Sequence, residues 1–221
     1  MEGDSGLLLY DYWRSSAAYR VRIALHLKSL DFRQLSIDLV RDGGVHRQAS
    51  FLSINPQGLV PALVHDGKVL TQSMAICEYL DEAFPNDPLL PESIADRAQA
   101  RAAAQLVACD VHPLNNLRVQ QYLAREFDVD EAALQSWMHH WMATGFDALE
   151  KLLDNAEPMP FCFSSRPGLV ECFLLPQVYN AERFKCDMGP YKRIQRVVER
   201  CRELPAFTAA APELQPDAPI R

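Results

Sequence analysis

The chain has 221 residues, 48% of them apolar and 23% charged, enough for one large domain or two small ones around a sizeable core. With 22 Lys and Arg against 29 Asp and Glu, its net charge of −7 argues against nucleic acid or an anionic membrane as partner, because both reward a basic face. No stretch approaches the roughly 20 apolar residues needed to span a bilayer, and the acidic start Met1-Glu2-Gly3-Asp4 is unlike a signal peptide, so a cytoplasmic protein is expected.

Residues 7–10 read as a short strand, 16–28 as a helix with Ala18, Val21 and Leu25 on one face, and 32–39 as a second strand with alternating apolar positions. Together they make a βαβ unit. After Asp42-Gly43-Gly44 comes a weak helix to about residue 53, and then two short strands, 60–65 and 69–70, flank the hairpin turn Asp66-Gly67. A helix over 73–83, with Ile76, Leu80 and Ala83 inward, completes the order β-α-β-α-β-β-α of a thioredoxin-like domain. The dithiol motif C-x-x-C that redox members carry at the entry to the first helix is replaced by Ser15 and Ser16, which disfavours dithiol exchange and leaves room for a thiol ligand.

The prolines 85, 88 and 91 form a linker, and strand signals stop beyond it. Helices are expected over 94–124, 131–153, 168–184 with a kink or break at Pro176, and 191–202. Trp137, Trp141, Leu149 and Leu152 supply bulky core material, and residues 205–221 read as an extended strap or a frayed end. The expected organisation is a thioredoxin-like α/β domain over 1–87 and an all-α domain over 88–221. Cys77, Cys109, Cys162, Cys172, Cys186 and Cys201 fall mostly in apolar helical patterns and read as buried filler, with no zinc site or disulfide framework.

Three places carry chemistry. At Arg14-Ser15-Ser16, a strand turns straight into a serine-capped helix, whose free N–H groups and dipole suit a carboxylate, phosphate or thiolate; an ordinary helix cap explains the same residues equally well. In Asn55-Pro56-Gln57-Gly58-Leu59-Val60-Pro61, a cis Val60-Pro61 bond would turn the Val60 backbone toward a peptide ligand, and an edge-strand proline is the plain alternative. Gln72-Ser73 opens another helix and offers a second anion site. A thiol at one end, a peptide centre and a carboxylate at the other describe glutathione.

The chain resembles the cytosolic glutathione transferases, specifically their zeta class, over nearly its whole length. The resemblance is carried by Tyr-Trp-Arg-Ser-Ser-Ala-Ala-Tyr-Arg-Val-Arg-Ile-Ala-Leu from Tyr12, Asn-Pro-Gln-Gly-Leu-Val-Pro from Asn55, and Gln72-Ser73-Met74-Ala75-Ile76. It continues in Cys-Asp-Val-His-Pro-Leu-Asn-Asn from Cys109 and in the run from Pro176 to Phe184. It implies that glutathione lies along the first domain, with its sulfur at Ser15 and Ser16 in the run that continues through Ala17, Ala18, Tyr19 and Arg20. Val60 and Pro61 would meet its cysteinyl backbone, and Gln72 and Ser73 its γ-glutamyl carboxylate. His46, His112 and Asn116, with Leu117 and Arg118 beside them, match further glutathione-contacting positions.

The activity implied is glutathione-dependent cis–trans isomerisation of a maleyl dicarboxylate, with Arg14, Arg118 and Arg183 as candidates for the substrate carboxylates. Maleylacetoacetate, in tyrosine and phenylalanine degradation, is the expected substrate. Maleylpyruvate, α-haloacid conjugation and a non-catalytic binding module are the alternatives. A homodimer is implied, and no metal. Three departures from the class stand out: Ala17 where many members have cysteine, Tyr19 where tryptophan is common, and Gly168 with Glu171 in place of a Thr-x-x-Asp capping box. A glycine cap without a side-chain acceptor is expected to cost a few tenths of a kcal/mol, roughly.

Overall fold

A computed structural model describes residues 6–219. They form two compact units, one of residues up to Leu89 together with the segment from Glu203 onward, the other of Leu90–Arg202.

In the first unit, β1 (Leu8–Asp11) and β2 (Arg33–Ser36) pair in parallel through the crossover helix α1 (Ser16–Leu27). After the short α2 (Ala49–Leu52), β3 (Ala62–His65) pairs antiparallel with both β1 and β4 (Lys68–Thr71), giving the sheet order β2-β1-β3-β4. Helix α3 (Ser73–Ala83) closes the thioredoxin-like arrangement. The hairpin turn has the expected chemistry, with both Asp66 and Gly67 at positive φ.

The sequence pattern predicts one apolar face for α1, yet every residue from Ala18 to Leu25 is buried. The reason lies in the tail. Instead of joining the helical domain, residues from Glu203 belong to the first unit, where α9 (Pro205–Ala209) packs on α1. The strap is therefore partly helical, with Pro205 at a first-turn position where its missing N–H costs nothing. Burial on all sides places Arg22 out of water, and each part of its guanidinium is matched. Its Nη1 donates to both carboxylate oxygens of Asp11 at 2.8 Å, Nε to the Ala210 carbonyl at 3.0 Å and Nη2 to the Trp13 carbonyl at 3.0 Å.

In the second unit, α4 (Ile94–Gln105) runs into a π-helical turn (Leu106–Val111) and a 3-10 turn (His112–Asn115) before α5 (Leu117–Phe127). The single helix expected over 94–124 is thus broken, because Pro113 has no N–H to continue it and Asn116 starts α5 anew, its side chain accepting from the Arg118 N–H at 3.1 Å. Helix α6 (Glu131–Asp154) buries Met138, Met142, Phe146, Leu149 and Leu153. Leu152, expected in the core, sits off that stripe and is exposed, and Trp141 is half-buried. Helix α7 (Leu169–Arg183) is almost wholly buried and runs unbroken through Pro176, and α8 (Lys192–Arg202) packs on it.

Gly168 lacks a side chain to cap α7, but the other half of the capping box is present. Glu171, 3% exposed, accepts from the Gly168 N–H at 2.8 Å and from the Cys162 N–H at 2.9 Å. Burial pushes its carboxyl above the ordinary value, and these N–H groups offset only part of that rise. Glu171→Ala strands both donors and is expected to cost about 2–4 kcal/mol, with Glu171→Gln losing about half as much; urea unfolding midpoints of the two variants test this. Of the cysteines, Cys77, Cys162, Cys172 and Cys201 are buried as expected, whereas Cys186 is half-buried and Cys109 is exposed on the π-helical turn.

Candidate functional site

In the first unit the site grows from the turn that joins β1 to α1. The Ser15 N–H donates to the Tyr12 carbonyl at 2.9 Å, closing the turn, and Ser15 then caps α1 with its Oγ accepting from the Ala18 N–H at 3.2 Å. That cap bond uses a lone pair of the hydroxyl and not its proton. No acidic side chain lies in the first turn of α1, so the helix dipole there is left to act on an outside anion. Ser15, Ser16 and Ala17 are half-buried, and Arg14 stacks its guanidinium over the Trp13 ring at 5.5 Å.

The cis Val60-Pro61 bond leads into β3. Val60 shares a small apolar cluster with Tyr12, Ile37 and Phe51, which brings the start of the Ser15 turn and the Val60 backbone to one place. Asn55 shapes the loop before it: its side chain donates to the Leu59 carbonyl at 2.7 Å and accepts from the Gln57 N–H at 3.1 Å. Gln57 in turn accepts from the Gln72 amide at 2.8 Å. Gln72 is exposed, in the left-handed region at φ 70°, immediately before α3.

Ser73 begins α3 nearly buried, and its Oγ accepts from Arg20 Nη1 at 3.1 Å. One buried guanidinium thereby ties α1 to the N-terminus of α3. His46 sits half-buried in a short 3-10 turn, where burial and then the charge of Arg47 push its imidazole below the ordinary value, so it is neutral at pH 7. The His46 ring lies so close to Gly44, at φ 99°, that a side chain there would collide with it.

In the second unit His112 opens the 3-10 turn half-buried, Asn116 caps α5, and Leu117 and Arg118 are exposed in the first turn of that helix. The preceding Val111 approaches α6 at Gly145, where a side chain would strike it. The Trp137 indole donates to the Leu114 carbonyl at 2.8 Å, and Asn115 to the Val111 carbonyl at 2.9 Å, so the whole segment is held to a rigid helix. Arg183 ends α7, donating to Asn180 Oδ1 at 3.2 Å with its guanidinium 4.4 Å from the Phe184 ring centroid.

The predicted residues therefore separate. Arg14, Ser15, Ser16, Ala17, Gln72 and His46 reach the surface of the first unit, and Ser73, next to Gln72, is buried against Arg20. Ala18, Tyr19 and Arg20, expected within the ligand-contacting run, are sealed in the core at 0%, 4% and 2% exposure, because α1 is covered on every side. The Ala18 and Tyr19 N–H groups are already taken by Ser15, and Arg20 reaches the start of α3 through Ser73. Asn55 and Gln57 join the predicted residues through their hydrogen bonds, and the turn chemistry of Asn-Pro-Gln-Gly is the local signal that marks their loop. Among the described residues no cluster of three or more His, Cys, Asp or Glu side chains is arranged to hold a metal.

The profile of the glutathione S-transferase N-terminal domain matches residues 5–82. The chain is 48% identical over 212 residues to the probable maleylacetoacetate isomerase of Vibrio cholerae, covering 96% of this chain and 98% of that protein. It is similar to the holo structure of a maleyl pyruvate isomerase, a bacterial glutathione S-transferase of the zeta class, with TM-score 0.92 and 43% identity over 96% of this chain and 100% of the other. It is also similar to maleylacetoacetate isomerase from Anaeromyxobacter dehalogenans, solved with dicarboxyethyl glutathione and citrate in its active site, with TM-score 0.84 and 39% identity over 96% and 94% of the chains. The chain belongs to the zeta class of the glutathione S-transferases.

Proposed function

We propose that this protein is a glutathione-dependent cis–trans isomerase that converts maleylacetoacetate to fumarylacetoacetate in tyrosine and phenylalanine breakdown. The observation that carries this reading is the serine cap of α1, whose hydroxyl accepts from within the helix while its proton is not used in that bond. Ser73 repeats the pattern, accepting from Arg20. The two hydroxyls suit a ligand with an anionic sulfur at one end and a carboxylate at the other, which fits glutathione. When bound, glutathione supplies a sulfur nucleophile whose reversible addition to the maleyl double bond allows rotation about it.

In this reading Ser15 donates to the sulfur and, with Ser16 and the α1 dipole, favours its anionic form at neutral pH. Val60 pairs with the cysteinyl backbone, and Gln72 and Ser73 hold the γ-glutamyl carboxylate. The Arg20 guanidinium behind Ser73 polarises that hydroxyl toward its ligand. The resemblance to the class implies further glutathione contacts at His46 and, in the second unit, at His112, Asn116 and Leu117. Arg14, held on Trp13, and Arg118 and Arg183 supply the positive charge that a substrate with two carboxylates requires. Among the described residues no helix is long and apolar enough to cross a membrane. A cytoplasmic homodimer follows from the resemblance to the class.

The test is the disappearance of maleylacetoacetate and of maleylpyruvate, each with and without glutathione. Turnover of maleylacetoacetate that requires glutathione and exceeds that of maleylpyruvate is expected. The reverse preference would make the protein a maleylpyruvate isomerase, the reaction named for the zeta-class relative at 43% identity. No turnover of either acid in the presence of glutathione overturns the isomerase reading.

A further inference from the structure

We infer that the C-terminal strap positions the turn before α1, with Asp217 as a positioning residue that fixes the Tyr12–Trp13 peptide and, through it, the hydroxyl of Ser15. The inference rests on the reading of Ser15 as the residue facing the glutathione sulfur.

Ser15 is the last residue of a four-residue turn, and the orientation of its side chain follows the peptide planes before it. In such turns the peptides are free to rotate unless something outside the turn holds them, and a flip of the central one converts one turn type into another. Here every peptide leading to Ser15 is held. The Tyr12 N–H donates to Asp11 Oδ1 at 2.6 Å, the Trp13 N–H to Asp217 Oδ2 at 3.1 Å, and the Trp13 carbonyl accepts from Arg22 Nη2 at 3.0 Å. Two of these three holds depend on the strap. Asp217 belongs to it outright, 204 positions from Trp13 in the chain, and Arg22 is itself braced by the Ala210 carbonyl at 3.0 Å.

The strap is also anchored well enough to act as a fixed point. Asp217 Oδ2 accepts from the Ser36 hydroxyl at 2.6 Å, which ties it to β2. Gln215, 7% exposed, accepts from Gln34 at 2.9 Å and donates to the carbonyls of Ala209 and Ala211 at 3.0 and 2.8 Å. Gln34 bonds Asp11 at 2.9 Å as well, so the strap, the sheet and the turn share one polar network. A surface tail needs none of this for solubility. The arrangement holds the two peptides on either side of Trp13, with Asp217 fixing the Tyr12–Trp13 peptide through its N–H and Arg22 the Trp13–Arg14 peptide through its carbonyl.

The experiment compares Asp217→Ala and Asp217→Asn in the full chain, reading turnover at saturating glutathione and acid, the KM for glutathione, and the ultraviolet thiolate absorbance of bound glutathione at neutral pH. For Asp217→Ala the expected result is a fall in turnover of about tenfold, the scale of a small misplacement at a reacting centre, with a loss of thiolate absorbance and a glutathione KM within about twofold. Asn keeps an oxygen acceptor for the Trp13 N–H, so Asp217→Asn is expected to restore most of both signals. Full turnover in Asp217→Ala, or equal losses in turnover and glutathione KM, overturns the inference, since general loosening moves both. Ser15→Ala serves as reference. If it leaves the thiolate absorbance unchanged, the reading of Ser15 falls and this inference with it; if it abolishes the absorbance while Asp217→Ala does not, the role of the strap alone falls. Should Asp217→Ala not fold, Asp217→Asn is compared with Asp217→Glu, which keeps the charge and displaces the carboxylate. Higher turnover in Asp217→Asn supports positioning, and the opposite order overturns it.

Discussion

Ser15→Ala is expected to lower turnover at saturating glutathione about a hundredfold, the scale of removing one donor aimed at a developing or resident anion. The Ser15 hydroxyl both caps α1 and keeps a proton for the sulfur, and alanine removes the two roles together. The peptide and carboxylate ends of glutathione are held elsewhere in this reading, by Val60, Gln72 and Ser73, so the KM for glutathione is expected to change by about twofold or less. The thiolate absorbance of the bound ligand falls in parallel with turnover. An unchanged rate removes Ser15 as the sulfur-activating residue. The lost cap also costs stability, about 1 kcal/mol, which a thermal melt separates from the effect on rate.

The second large effect is on stability. Arg22 and Asp11 form an ion pair at 2.8 Å, their side chains 0% and 3% exposed, and Arg22 also serves the Trp13 and Ala210 carbonyls. Arg22→Met leaves a buried carboxylate and two carbonyls without that partner. The expected cost is about 3–5 kcal/mol, the usual penalty for breaking a buried pair from one side. For a chain of this length that lowers the melting temperature by roughly 6–20 °C. The double variant Asp11→Asn, Arg22→Met removes the stranded charge and is expected to recover part of the loss. Equal stability in the single and double variants would falsify the view that the buried carboxylate is the source of the penalty.

What the chain reveals without its fold is whatever is decided by neighbours a few residues apart. The βαβ unit and the Asp66-Gly67 hairpin were legible because apolar period and turn chemistry act within short windows. Ser15 and Ser73 were legible because a helix start is a local event, marked by hydroxyls at the first positions of α1 and α3. The same window misled over residues 94–124, where a helical period runs across the π-helical turn and hides the restart at Asn116.

The rest depends on which distant segments meet. Burial of α1 on every side comes from α9, and it turns Ala18, Tyr19 and Arg20 from expected ligand contacts into core. Glu171 and Gly168 looked like a lost capping box; the longer carboxylate reaches back to Gly168 and also to Cys162 across a loop whose path no spacing rule gives. Nothing in the composition of the tail marks Asp217 as a partner of Trp13. Capping and periodicity are short-range and leave their trace in adjacent residues, whereas a buried charge or a backbone tie is chosen by chain segments that become neighbours only when the apolar surfaces between them are removed from water.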